Sequence, residues 1–165
     1  MITIADINAM DSDLFVATFG DVAEHSPWVA KAAAALRPFV GRESLVRGFA
    51  TVLLSADAKT QLALLREHPD LASKAKLTAD SQSEQKGAGL DRLTTEEFAH
   101  FTHLNEVYKK QFGFPFIYAV RGAGKRQIIE SFEGRIGNSR EAELEMAIKH
   151  VTQIFRFRLE DRVLL

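Results

Sequence analysis

His68 stands in Arg66-Glu67-His68-Pro69-Asp70-Leu71-Ala72, with acidic residues on both sides. Imidazole is the side chain whose ordinary pKa lies nearest neutrality, so it can both give and take a proton there. A structural reading competes, because a histidine at a helix end also interacts favourably with the last carbonyls. Further on, Ser81-Gln82-Ser83-Glu84-Gln85 gathers hydroxyls, a carboxylate and primary amides. Ser81 and Glu84 also spell a capping box. The residues that follow, Lys86-Gly87-Ala88-Gly89-Leu90, are poor helix material. A short helix start here would place free N–H groups, a hydroxyl, a carboxylate and an amide around one point. That suits a ligand rich in hydrogen-bond donors and acceptors.

A third stretch, Gln111 to Gly122, contains Phe114-Pro115-Phe116-Ile117-Tyr118-Ala119-Val120. It is either a helix stop followed by a buried apolar connector, or an extended segment whose unpaired backbone groups contact a polar ring. Arg158 is the fourth candidate. Leu144, Ile148, Val151 and Phe155 trace one apolar stripe, and the next step of three lands on Arg158. Such an arginine either snorkels or pairs with a carboxylate, or it reaches into a pocket to hold a substrate carboxylate. His100 and His103, with Glu96 before them, have a geometry acceptable for zinc but lack the spacing of the known zincin signatures. No metal ligand is assigned. Gly122-Ala123-Gly124-Lys125 lacks the full phosphate-loop spacing.

The elements that must position these residues are helices. Ser26-Pro27 predicts an N-cap with proline at the first helical position, opening a helix from Trp28 to Arg37 that Pro38 stops. Helices over 43–54 and 59–67 follow, with Asp57 as cap between them. Pro69 ends the second near His68, since it disfavours the α conformation at the preceding residue. Thr94 and Glu97 form a capping box for a helix to Gln111, with Phe98, Phe101, Leu104 and Tyr108 on its buried face and Gly113 as its stop. Lys125 to Ile136 is helical, closed by Gly137. Asn138 or Ser139 caps a last helix running almost to the end. One extended segment without a partner makes no sheet, so the fold expected is all-α, a compact helical bundle forming a single domain over 1–165.

Composition narrows the function. Apolar residues make up 46% and charged residues 26%, with twelve Phe, a balance that suits a globular core. A net charge of −1 argues against a general nucleic-acid binder. There is no cysteine, which removes disulfides, a thiol nucleophile and thiolate metal sites. No stretch is long and apolar enough for a bilayer span, and the first residues do not resemble a signal peptide. A cytoplasmic protein is expected, with no nucleic-acid or membrane partner.

Taken together, three segments carry a specific resemblance: His68-Pro69-Asp70-Leu71-Ala72, the Ser81–Gln85 run continuing through Ala88-Gly89, and Phe112-Gly113-Phe114-Pro115-Phe116-Ile117. In this order, with Arg37-Pro38-Phe39, Leu104-Asn105, Tyr108 and Arg158-Leu159, the chain resembles the 2-oxo-4-hydroxy-4-carboxy-5-ureidoimidazoline (OHCU) decarboxylases of urate breakdown over nearly its whole length. The resemblance implies an all-α fold, no cofactor, a small ureidoimidazoline substrate and a homodimer. It implies His68 as the catalytic histidine, which we expect to couple with Glu84. Substrate contacts fall on Pro69, Ser81, Gln82, Ser83, Glu84, Gln85, Phe116, Ile117, Tyr118, Ala119, Val120 and Arg158. The link from His68 to Ser81 is shorter than in some relatives, so its loop geometry is expected to differ. The competing readings are a non-enzymatic helical interaction domain and a metal-dependent hydrolase built on His100 and His103.

Overall fold

In a computed structural model of the chain, residues 1–73 and 76–165 are described. Lys74 and Ala75, within the link from His68 to Ser81 whose geometry is expected to differ, lie outside them. Among the described residues there are nine helices and no strand; the sole strand-like pairing is an isolated parallel bridge between Ile2 and Val163. No helix among them is long and apolar enough to cross a membrane. The all-α expectation holds. The chain forms two compact units, residues 1–67 with 152–165, and residues 68–151.

The first unit contains α1 (Ile4–Ala9), α2 (Ser12–Phe19), α3 (Trp28–Ala34), α4 (Arg42–Ser55), α5 (Ala58–Arg66) and the C-terminal part of α9 (Arg140–Arg162). α1 and α2 do not emerge from periodicity, being only six and eight residues long. Their signals are caps: the Thr3 side chain accepts from the Asp6 N–H, and Asp11 accepts from Leu14. α3 ends at Ala34, short of the expected Arg37. Ser26 does not cap it either; its hydroxyl donates to the Glu24 carbonyl at 2.8 Å. Arg37 folds back instead, donating to the carbonyls of Ala34 and Met10. The core is aromatic, with Phe15, Phe19, Phe49 and Phe155 in contact by tilted and edge-on rings.

The stripe-breaking arginine lies in this unit. Arg158 is 3% exposed; Nη2 donates to Glu24 Oε1 at 2.9 Å and Nη1 to the Val22 carbonyl at 3.1 Å. Two buried charges are tolerable because each neutralises the other.

The second unit holds α6 (Ala79–Gly87), α7 (Thr95–Phe112), α8 (Lys125–Ile136) and the N-terminal part of α9. α7 begins on the Thr94–Glu97 capping box, complete in both halves, and stops at Gly113, whose φ of 81° is the left-handed conformation that glycine adopts without cost. α8 has the expected bounds. α9 is capped by Ser139, whose Oγ accepts from the Ala142 N–H, while Asn138 turns inward.

It turns toward Glu143, which is fully buried. One carboxylate oxygen accepts from the Tyr108 hydroxyl at 2.6 Å and from Arg135 Nε at 2.9 Å; the other accepts from Asn138 Nδ2 at 3.0 Å. Three helices and the turn before α9 are thereby tied to one side chain. Burial and this carboxylate push the Tyr108 hydroxyl well above its usual pKa, keeping it a donor. Replacing Glu143 by Ala leaves the Arg135 guanidinium buried without its counter-charge, a change that costs about 3–5 kcal/mol. Urea unfolding of Glu143→Ala should show a loss of that order; a loss below about 1 kcal/mol, the scale of a surface pair, would contradict this placement.

Candidate active site

His68 is the first residue of the second unit and follows the C-cap of α5, as Pro69 dictates. It is 8% exposed. The loop it opens is held at its far end by two amide side chains. The Ala72 N–H donates to Gln85 Oε1 on α6 at 3.0 Å, and Asn105 Nδ2 on α7 donates to the Leu71 carbonyl at 2.9 Å. Both bonds engage the single peptide group between Leu71 and Ala72, and directly after it the chain bends through Ala72 at φ 59°, a left-handed conformation unfavourable for any residue with a side chain. A strained residue survives where its surroundings over-determine it, and here the peptide group before Ala72 is held at both its carbonyl and its amide, while the Ser73 N–H after it donates to the Asp70 carbonyl at 3.4 Å. At the rim, Lys109 pairs with Asp70 at 2.8 Å.

α6 corrects the expected capping box. Its N-cap is Thr78, whose Oγ1 accepts from the Ser81 N–H at 3.3 Å, so Ser81 is an internal helical residue and Glu84 lies a turn further on. The helix forms despite its glycines because Gly89, at φ 80°, closes it and Leu90 donates back to the Gln85 carbonyl at 2.9 Å. Helical geometry then divides the five residues. Ser81 and Gln85 are buried and Glu84 is half-buried beside them, whereas Gln82 and Ser83 are exposed. The structure thus groups Ser81, Glu84 and Gln85 on one face and sets Gln82 and Ser83 apart. A cavity of about 520 Å³ is lined by Ala72, Lys76, Gln82, Gln85 and Lys86 among others; His68, Ser81 and Glu84 are not part of its wall.

Residues 115–120 form neither helix nor strand. Phe116 stacks on Phe132 with ring centres 3.8 Å apart, and the Arg135 guanidinium lies 4.3 Å above the Phe116 ring. Its main chain is less free than the sequence suggests. Arg135 Nη1 donates to the Ile117 carbonyl at 2.8 Å, and the Ala119 N–H donates to Nδ1 of His150 at 2.9 Å. The Val120 carbonyl accepts from Ala123. His150 also stacks on Tyr118, ring centres 4.8 Å apart. Burial, and after it the positive charge of Arg135, lowers the His150 pKa to about 4, with Glu143 opposing the shift.

Arg158 belongs to the first unit and is engaged by Glu24 and Val22. His100 pairs at the surface with Glu133 at 2.8 Å, and His103 is exposed. Among the described residues no three His, Asp or Glu side chains converge to hold a metal ion. Arg135, Glu143 and His150 were not singled out by the sequence reading. A signal for two of them exists: Glu143, Ala147, His150 and Ile154 step by four, three and four along α9, a second stripe with two polar members.

A family model described as OHCU decarboxylase matches residues 8–160. The chain is 42% identical over 161 residues to the uric acid degradation bifunctional protein of Bacillus subtilis, covering 98% of this chain but only 33% of that protein. It is 41% identical to the 2-oxo-4-hydroxy-4-carboxy-5-ureidoimidazoline decarboxylase of Halalkalicoccus jeotgali, covering 97% of this chain and 91% of that one. Among solved structures, (S)-allantoin synthase superposes with a TM-score of 0.79 at 28% identity, over 98% of this chain and 54% of that one. An OHCU decarboxylase crystallised in the presence of (S)-allantoin shares the fold, with a TM-score of 0.73 at 20% identity over 92% of this chain and 97% of that one. With the family pattern spanning both units and identities above 40% at near-complete coverage of this chain, the chain belongs to the OHCU decarboxylase family.

Proposed function

We propose that the chain removes CO₂ from OHCU to leave (S)-allantoin, a step of urate breakdown, with His68 as its acid–base residue. The observation that carries this reading is the bond from Ala72 to Gln85: it ties the loop that His68 opens to the face of α6 bearing Ser81 and Glu84. A titratable imidazole, a carboxylate and a hydroxyl are then supplied by two segments joined through a buried hydrogen bond.

The chemistry follows from the substrate. When the bond from the ring carbon to its carboxylate breaks, CO₂ departs and the bonding electron pair stays on that carbon. The neighbouring ring C=N, conjugated with the ureido group, delocalises the pair, so the substrate supplies the electron sink that other decarboxylases take from a cofactor. The protein must hold the scissile bond across the ring's π-system, take up the hydroxyl proton as that carbon becomes a carbonyl, and deliver a proton to one face of the neighbouring, ureido-bearing carbon. His68, oriented by Glu84, moves the proton on the hydroxyl or carboxylate side and acts as donor. Ser81, Glu84 and Gln85 bond the ring and ureido groups, with Pro69 and the 116–120 segment completing the contacts. Gln82 and Ser83, being exposed, are assigned an outer role at most. Arg158 as holder of the substrate carboxylate rests on the family resemblance alone, because Glu24 already supplies it with a carboxylate. A homodimer and a cytoplasmic setting rest on the same resemblance and composition.

Three results test this reading with freshly generated OHCU as substrate. His68→Ala should lower kcat by about 10²–10⁴-fold, the usual contribution of a general acid–base group. Glu84→Gln should also lose turnover, and the double variant should be little worse than the more damaged single one, since the two act as a unit. Unimpaired, stereospecific turnover by a folded His68→Ala would reduce His68 to a helix-end residue. Exhaustive chelation, and His100→Ala combined with His103→Ala, should leave the rate largely intact; zinc whose removal abolishes turnover would favour the hydrolase reading instead. Arg158→Gln should lower the melting temperature, because it strands Glu24 in the interior. If stability is unchanged and only KM rises, Arg158 serves the substrate and not the fold.

A further inference from the structure

His150 is a half-buried titratable side chain that the mechanism above does not use. Its Nδ1 accepts the Ala119 amide, and its ring lies on Tyr118. Two residues earlier, the Ile117 carbonyl is taken by Arg135 from a different helix. The carbonyl of residue 117 and the amide of residue 119 are thus both taken up by side chains, one from α8 and one from α9.

We propose that His150 is a positioning residue: as a neutral imidazole accepting the Ala119 amide, it fixes how the 116–120 segment is presented to the substrate ring. The inference rests on the reading that this segment contacts the ligand. Its chemical requirement is strict. An acceptor at Nδ1 means that the ring proton sits on Nε2 and that the imidazole is uncharged, since both nitrogens donate in the protonated form. The groups that bear on its charge are Arg135 from α8, which opposes protonation, and Glu143 on α9, which favours it; burial sides with Arg135. Arg135 thus acts twice, holding the Ile117 carbonyl and helping to keep the neighbouring imidazole neutral.

Two variants separate the acceptor from the ring. His150→Phe keeps an aromatic surface on Tyr118 but leaves the Ala119 amide without its partner; His150→Asn keeps an acceptor near the Nδ1 position. With OHCU as substrate, His150→Phe should raise KM on the order of tenfold, the effect of one unsatisfied, half-buried donor, while kcat stays within about threefold. His150→Asn should recover most of the loss. In the wild-type protein, imidazole ¹⁵N spectra should show Nε2 protonated, Nδ1 unprotonated and no titration of His150 between pH 5.5 and 8, about the range where a free histidine changes charge. An Nδ1-protonated ring, or a folded His150→Phe with wild-type KM, would overturn the assignment. A loss in kcat alone, or an equal loss in both variants, would do the same. A wild-type protein that does not accelerate OHCU decay would refute the proposed function instead, and the ¹⁵N spectra would still report on the hydrogen bond.

Discussion

Within residues 68–151, the organising constraint is the burial of the Glu143 carboxylate. An ionised carboxylate out of contact with water must be neutralised and its lone pairs satisfied. Tyr108, Arg135 and Asn138 do this from α7, α8 and the turn before α9. Once Arg135 is held by Glu143, its remaining reach is fixed as well, toward the Ile117 carbonyl and across the face of Phe116. The connector after α7 is thus ordered by a charge located in α9. No regular secondary structure organises residues 115–120, so these side chains replace the neighbouring strand that would otherwise define their direction.

The same device recurs at the His68 loop. There the amides of Gln85 and Asn105 engage the N–H and the carbonyl of the peptide group that leads into the strained Ala72. In both places helices supply polar side chains to a stretch of irregular chain and make it rigid. This matters for a reaction in which the substrate carries its own electron sink. The protein's task is then orientation and the delivery of one proton to one face, and both depend on how narrowly the surrounding groups are held.

The long elements were legible in the sequence. α7, α8 and α9 follow from capping residues and apolar spacing, and the end of α5 follows from Pro69. α1 and α2 were not, because helices of one or two turns have too few residues to display a period. α6 was misread by three residues, since Thr78 and Ser81 offer equally good caps and only tertiary packing decides between them. The candidate chemical residues, His68 and the 81–85 group, were singled out by type and spacing. The residues that hold the scaffold, Arg135, Glu143 and His150, were not, because a charged side chain on a helix is ordinarily solvated and nothing local marks one that turns inward. Arg158 shows the reverse case: its position on an apolar stripe drew attention, but its partner Glu24 lies far away in sequence.

The central claim is a stereospecific decarboxylation in which the protein delivers the proton. The most direct measurement is the optical activity of allantoin formed when the protein is added to freshly generated OHCU, followed in time against the spontaneous reaction. The account predicts an accelerated signal of the (S) enantiomer, nearly free of (R). Racemic allantoin appearing at the spontaneous rate would contradict it.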